Sequence, residues 1–354
     1  MENQNKIDIL FVLPSLRAGG AEKVVSYLAH QIDKNRFQSR LLILSRAEES
    51  FFSVEGIETI FLGKSRFRKS IYQLYRYVKL KKPSIVFTSS LNLNLYSGLL
   101  KVFFKDLKFI TRELSIPSKA QRDNALTRFF KAKIYSKLDA VVFQSQAMRN
   151  DYNKTFKASL KRQVVINNPI QLKQKIEITQ KLEVPHFISV SSLVSLKGHK
   201  RIIQVLEKLQ FDFKYSIIGE GVLLNELKQL VQENNLEQKV EFLGQQKNIR
   251  DFYYKDSIYL LGSHFEGFPN SVLESLAFGN PVLAFNSMGG HNEMIKNDFN
   301  GFICRDEHEF ERKISESIKK DWNSAKIQED AYQRYGSNKI IHSYQELFFN
   351  VLKN

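Results

Sequence analysis

SIYLLGSHFEGFPNSVLESLAFGNPVLAFN, residues 257–286, decides how the chain is read. It begins with an apolar run of strand length and turns through Gly267-Phe268-Pro269-Asn270. It then repeats apolar residues at helical spacing and ends in a second apolar run, PVLAFN. Strand, helix, strand in so short a span is a parallel βαβ unit. Ligands of open parallel sheets bind at the carboxyl ends of the strands. Glu266 lies on the loop at such an end. Asn270 is the expected N-cap and Ser271 the expected first helical residue, which puts Glu274 in the first turn, facing back to the loop. The helix dipole favours a carboxylate there. Two carboxylates and a row of exposed backbone N–H groups suit a ligand with many hydroxyls and a diphosphate.

The same alternation runs outward in both directions. KIDILFVLPS, RLLILS, SIVFTSS, KFITREL and DAVVFQSQ read as strands with amphipathic segments between them, and VVINNPI closes that series. The polar QLKQKIEITQKLEV reads as a linker. HFISVSSL, KYSIIGEG and KVEFLGQ precede the opening stretch, GFICRD follows it, and EFERKISESIKK reads as a helix. The expected fold is α/β, with two Rossmann-like, doubly wound parallel-sheet domains at residues 1–175 and 176–336. A final helix within 337–354 is expected to return to the first domain.

Composition sets outer limits. The chain has 354 residues, 43% of them hydrophobic and 25% charged, which suits two ordinary soluble domains. A single cysteine, Cys304, excludes a disulfide framework and points to the cytoplasm. No secretory leader opens the sequence, and the most apolar window, residues 84–104, is interrupted by asparagine and serine. The net charge of +16 is unevenly placed. Residues 1–170 hold 30 Lys+Arg and 13 Asp+Glu, a net of +17, whereas residues 171–354 hold 23 and 24, a net of −1. The basic half implies an anionic partner such as a phospholipid surface, a lipid diphosphate or a nucleic acid. The run KSRFRKSIYQLYRYVKLKK, residues 64–82, has eight basic residues and no acidic one. Its apolar spacing fits a helix lying on an anionic membrane surface, and equally a helix covering a sheet. Nucleic-acid binding is set aside because no reader motif accompanies the charge.

Two glycine loops sit at other strand ends. Gly19 and Gly20, preceded by Arg17, open the first helix, where close backbone approach and free N–H groups favour an anion. Gly219-Glu220-Gly221 begins a dinucleotide fingerprint, but Leu224 stands where the third glycine belongs.

EGFPNSVLE resembles the signature of glycosyltransferase family 4, a Glu, seven residues and a second Glu, with Gly-Phe-Pro-Asn inside. LRAGGAEKVV, DAVVFQSQAMRNDY, VINNPI, LVSLKGHKRII, IIGEGVLLNEL, VEFLG and PVLAFNSMGGHNEMI resemble further family segments in the family's order, so the resemblance covers nearly the whole chain. It implies the GT-B fold, two Rossmann-like domains facing a cleft, and transfer of a sugar from a nucleotide donor with retention at the anomeric carbon. Residue by residue, it implies that Glu274 holds the donor ribose and Glu266 the donor sugar. Gly267, Phe268, Pro269 and Asn270 would line sugar and diphosphate with backbone, near Gly219 and Gly221. Lys197 would neutralise the diphosphate together with the N–H groups of Gly19 and Gly20. The family needs no metal or other cofactor, and the chain has no Asp-x-Asp.

Two positions depart from the pattern. Ser192 stands where the family usually has an Arg, and Arg112 or Arg17 is the candidate replacement. The strand end that carries a histidine in some members reads ITRELS, with Arg112 and Glu113, so the group that activates the acceptor stays open. His264 and His291 flank the signature as further contact candidates. The expected activity is transfer from a nucleotide sugar, a UDP-sugar first of all, to a polyprenyl-diphosphate-linked saccharide at the cytoplasmic face of the inner membrane, in O-antigen, capsule or exopolysaccharide synthesis. The alternatives are a GT-B enzyme with a soluble acceptor and a non-catalytic nucleotide-sugar-binding scaffold.

Overall fold

The computed structural model describes residues 6–17, 19–63, 67–120, 124–156, 159–172, 175 and 177–353. Lys64 and Arg66 of the basic run and Ala18 of the first glycine loop lie outside them. The chain divides into two compact units, Met1–Gln171 with Ser337–Asn354, and Leu172–Gly336.

The first unit is built on strands β1 (Ile7–Leu13), β2 (Phe37–Ile43), β3 (Glu58–Phe61), β4 (Ile85–Thr88), β5 (Lys108–Arg112), β6 (Ala140–Phe143) and β7 (Gln163–Val165). Its helices are α1 (Gly20–Gln31), α2 (Phe67–Lys81), α3 (Leu91–Phe103), α4 (Pro117–Ala120), α5 (Ala125–Tyr135) and α6 (Gln146–Phe156). The sheet is parallel throughout, in the order β3-β2-β1-β4-β5-β6-β7. The central strands are buried on both faces, which is why they read as continuous apolar runs. Strand β3 is an edge strand of four partly exposed residues, too short and too polar to register as a strand in the sequence.

The second unit has strands β8 (His186–Val190), β9 (Lys214–Ile218), β10 (Val240–Gly244), β11 (Ile258–Leu261), β12 (Phe265–Glu266), β13 (Val282–Phe285), β14 (Met288–Gly289) and β15 (Gly301–Cys304). Its helices are α7 (His199–Leu206), α8 (Leu224–Glu233), α9 (Asn270–Ala277), α10 (His291–Met294), α11 (Glu307–Ser317) and α12 (Ser324–Tyr335). Six strands form one parallel sheet, β10-β9-β8-β11-β13-β15, and β12 pairs with β14 apart from it.

The last helix, α13 (Ser337–Leu352), belongs to the first unit. Its Ile340, Tyr344, Leu347, Phe348 and Val351 join one apolar cluster with Phe11, Leu41 and Phe87 from one sheet face and Val25 and Leu28 of α1. Phe11 stands in register with Leu41 and with Phe87, so the three share that face. On α2, Leu74 and Val78 are buried while Tyr72, Arg76, Lys79 and Lys81 are exposed. The apolar stripe of this basic helix therefore packs inward, as a sheet-covering helix does.

Candidate active site at the sheet switch point

In the second unit the strand order reverses between β8 and β11. From β8 the chain runs to β9 and β10 on one side, and from β11 to β13 and β15 on the other. Such a reversal opens a crevice at the carboxyl ends of the two middle strands. The loops leaving β8 and β11 carry Lys197 and Glu266, and they meet: Lys197 Nζ lies 2.6 Å from Glu266 Oε1. The Ser263 hydroxyl donates to the same oxygen at 2.6 Å. The two charged side chains are 22% and 11% exposed, enough for a ligand to reach and little enough for the pair to be strengthened by a low local dielectric.

Backbone packing fixes this meeting. Gly198 has φ +62°, and a Cβ there would stand 1.9 Å from the Gly262 carbonyl. Only glycine allows the loops to touch so closely. Arg201, in the first turn of α7, donates to the carbonyls of Gly262 at 2.6 Å and Ser263 at 2.7 Å, and stacks 3.9 Å from the Phe285 ring centre. Below Glu266, β12 is held by β14, where Gly289 has φ +157° and a Cβ would stand 2.1 Å from the Glu266 carbonyl. The Gly290 N–H donates to the Gly267 carbonyl at 3.0 Å. Glu266 is thus clamped from three sides by residues of no remarkable chemistry of their own.

Glu274 is half-buried on α9. The helix starts one residue earlier than expected: Pro269 is the N-cap, Asn270 is already helical, and no side chain caps the end. Glu274 accordingly sits in the second turn, not the first. The Tyr259 hydroxyl donates to Ser271 Oγ at 2.7 Å. Its pKa is raised first by burial, and Glu266 and Glu274 both push it up further, so both charges act on one buried point. Phe268 turns its ring inward against Tyr335, centroids 5.5 Å apart, and Gly267 and Pro269 are buried with it.

The remaining sequence-derived positions sort by burial. Gly219 and Gly221 make room for the preceding loop: a Cβ on either would stand 2.0 Å from the Ser191 carbonyl or 2.3 Å from that of Leu193. Ser192 lies between those contacts and is exposed. His264 is exposed, with its pKa lowered by partial burial and by Arg201. His291 is fully buried, 3.3 Å from Ser287 Oγ. Burial lowers its pKa and the Glu266 charge opposes that shift. Sequence reasoning missed Ser263, Arg201, Tyr259 and Gly289. Only the Gly289-Gly290 pair left a one-dimensional trace.

In the first unit the order reverses between β1 and β4. Gly19 and Gly20 stand at the N-terminus of α1, and the Glu22 carboxylate folds back over Gly19 into the space a Cβ would take. Burial raises the Glu22 pKa, and its backbone N–H and Arg112 oppose the rise. Arg17 reaches outward to Glu49 at 3.3 Å. Arg112 is fully buried, donating to Ser89 Oγ at 3.2 Å and to Asn168 Oδ1. Its guanidinium belongs to the interior of this unit, whereas that of Arg17 is 71% exposed and its pair with Glu49 is open to solvent. Glu113, also buried, accepts from Tyr135 at 2.6 Å and Asn94 at 3.0 Å, and burial raises its pKa. Among the described residues no cluster of His, Cys, Asp and Glu could hold a metal ion, and no helix is long and apolar enough to cross a membrane.

Residues 18–174 match the model of Glycosyltransferase Family 4 and residues 171–334 that of Glycosyl transferases group 1. A Campylobacter jejuni relative, N-acetylgalactosamine-N,N'-diacetylbacillosaminyl-diphospho-undecaprenol 4-alpha-N-acetylgalactosaminyltransferase, is 28% identical over 83% of this chain and 85% of its own. A second from that organism, GalNAc-alpha-(1->4)-GalNAc-alpha-(1->3)-diNAcBac-PP-undecaprenol alpha-1,4-N-acetyl-D-galactosaminyltransferase, is 25% identical over 96% of both. Among solved structures, Anabaena HepE in complex with UDP and glucose superposes with a TM-score of 0.80 at 17% identity, over 97% of this chain and 100% of that one. The two family models overlap at residues 171–174 and together span 18–334, across both units, and the neighbour shares the GT-B fold, so the chain belongs to the glycosyltransferases.

Proposed function

We propose that the protein transfers a sugar, with retention, from a nucleoside-diphosphate donor to a polyprenyl-diphosphate-linked saccharide at the cytoplasmic membrane face, extending a bacterial surface polysaccharide. The observation that carries the reading is the cluster of Lys197, Glu266 and Glu274 at the switch point of the second unit. Glu274 accepts from the donor ribose hydroxyls and Glu266 from the sugar hydroxyls. Lys197, already held by Glu266, turns part of its charge to the diphosphate. Transfer breaks the bond from the anomeric carbon to the diphosphate oxygen and forms one to the acceptor oxygen. The acceptor proton passes to a donor phosphate oxygen, and the nucleoside diphosphate leaves with its charge stabilised by Lys197 and backbone N–H groups. No metal enters this scheme. The Campylobacter relatives, named for undecaprenol-diphosphate acceptors, support the lipid-linked acceptor.

HepE is solved with UDP and glucose, which makes UDP the first nucleotide to test. Calorimetry with UDP, GDP and ADP should give binding of UDP, and Glu274→Ala should weaken it at least tenfold, about 1.4 kcal/mol. Unchanged affinity in the variant removes Glu274 from the ribose role, and absence of binding by all three nucleotides overturns the donor assignment.

A further inference from the structure

Helix α5 is turned inside out at its start. Leu126, Phe129 and Phe130 recur at the spacing of one helical stripe, yet they are 64%, 60% and 54% exposed. The packing lies further along the helix: Tyr135, on the opposite side, is buried, and Ile134, one turn beyond Phe130, fills the space left by Gly98 of α3. Single exposed apolar residues are ordinary, but a stripe of three large ones is not. The helix is locally well made, since Asn124 caps it by accepting from the Thr127 N–H at 2.8 Å. Its exposed stripe is therefore presented by a fixed element. Arg128 and Lys133 are exposed beside it, Lys131 and Lys137 follow, and residues 124–138 hold no Asp or Glu. The stripe lies in the first turns of α5, at the carboxyl end of the sheet, where ligands of such sheets bind.

We infer that the exposed stripe of α5 inserts into an anionic lipid surface, with Leu126, Phe129 and Phe130 among the acyl chains and Arg128 and Lys133 at the headgroups. The charge selects this occupant. A second copy docking on the stripe about a two-fold axis would bring the same basic rim against itself. An anionic bilayer meets both the apolar centre and the basic rim. The inference deepens the lipid-linked acceptor reading and gives the membrane contact a different seat from α2, whose apolar face is inside the protein. Its test needs no sugar transfer, so the two can fail separately.

The full chain is floated with vesicles of phosphatidylethanolamine and phosphatidylglycerol, and with pure phosphatidylcholine vesicles. Binding to the anionic vesicles is expected. Phe129→Ser with Phe130→Ser should lower it at least tenfold, and Arg128→Gln and Lys133→Gln about fivefold each. A circular-dichroism melt checks that each variant folds. As an independent readout, Phe130→Trp should be quenched by bromine-labelled lipid, while the buried Trp322 should not. The proposal is overturned if the wild type ignores anionic vesicles or if the double Phe variant binds them as the wild type does. It is also overturned if the same variant turns a dimer into a monomer with vesicle binding unchanged, or if Arg76→Gln with Lys79→Gln on α2 abolishes binding while the α5 variants retain it.

Discussion

Glu266 is the residue on which the proposed chemistry turns, and its neighbours define how a substitution will act. One of its oxygens takes the Lys197 ammonium and the Ser263 hydroxyl. Glu266→Gln keeps the shape and removes the charge, so Lys197 loses its anion and, in the proposed scheme, the sugar loses a charged acceptor. Hydrogen bonds to a charged group contribute about 1.5–3 kcal/mol, so turnover should fall roughly ten- to a hundredfold. Free UDP makes no contact with Glu266 in the proposed scheme and should bind within about threefold of wild type. Steady-state kinetics beside calorimetry separates the two quantities, and a variant with near-normal turnover would move the sugar contact elsewhere. This residue was legible because it stands in a dense local motif. Arg201 was not, although it holds the same loop, because its partners are two backbone carbonyls some 60 positions away, and carbonyls leave no mark in a sequence.

At the scale of elements, the sheet of the second unit carries a pH dependence. His186 on β8 bridges Ser257 and Ser216 at 2.7 and 2.9 Å, and His199 on α7 lies 2.9 Å from Ser191 Oγ in the loop that leads to Lys197. Burial pushes both histidines down from 6.5 to about 4. Above pH 6.5 both the folded and unfolded chains hold them neutral, and they contribute nothing to a pH slope. Between 6.5 and 4 the unfolded chain binds protons that the fold refuses, so stability falls as pH falls, by about 2 kcal/mol per histidine at pH 5. The denaturation midpoint should drop between pH 7.5 and 5, and His186→Gln should flatten that slope. An unchanged slope in the variant would mean that His186 stays neutral in neither state or both. The strands themselves were readable as apolar runs because parallel sheets bury both faces. What escaped was the short and the shared: the edge strand β3, the two-residue pair β12 and β14, and helix α12, whose buried positions are few among polar residues. The basic run of α2 left two readings open because a helix covering a sheet and a helix covering a bilayer have the same period; Leu74 and Val78 are buried.

For the whole molecule, the chain's end completes its beginning. Phe348 of α13 is fully buried, with Phe11, Phe37 and Phe87 ring centres 6.3, 6.2 and 5.9 Å away. These partners lie more than 250 positions earlier, so the core of the first unit cannot close until the whole chain is made. Truncating such a ring removes its transfer energy and leaves a cavity, and Phe348→Ala should cost about 3–5 kcal/mol. That is a large share of the 5–15 kcal/mol by which a folded protein is normally stable. The second unit has its own sheet and core and no residue from α13. Phe348→Ala should therefore lower the unfolding temperature of the first unit and leave UDP affinity at low temperature within about threefold, because Lys197, Glu266 and Glu274 lie in residues 172–336 and only Gly19 and Gly20 are expected to reach the donor from the first unit. Calorimetric melting of the variant, with UDP binding measured below the transition, checks both halves. A melt that matches the wild type would show that α13 adds little to the core it caps. A parallel loss of UDP affinity would show instead that the donor site depends on the first unit being folded.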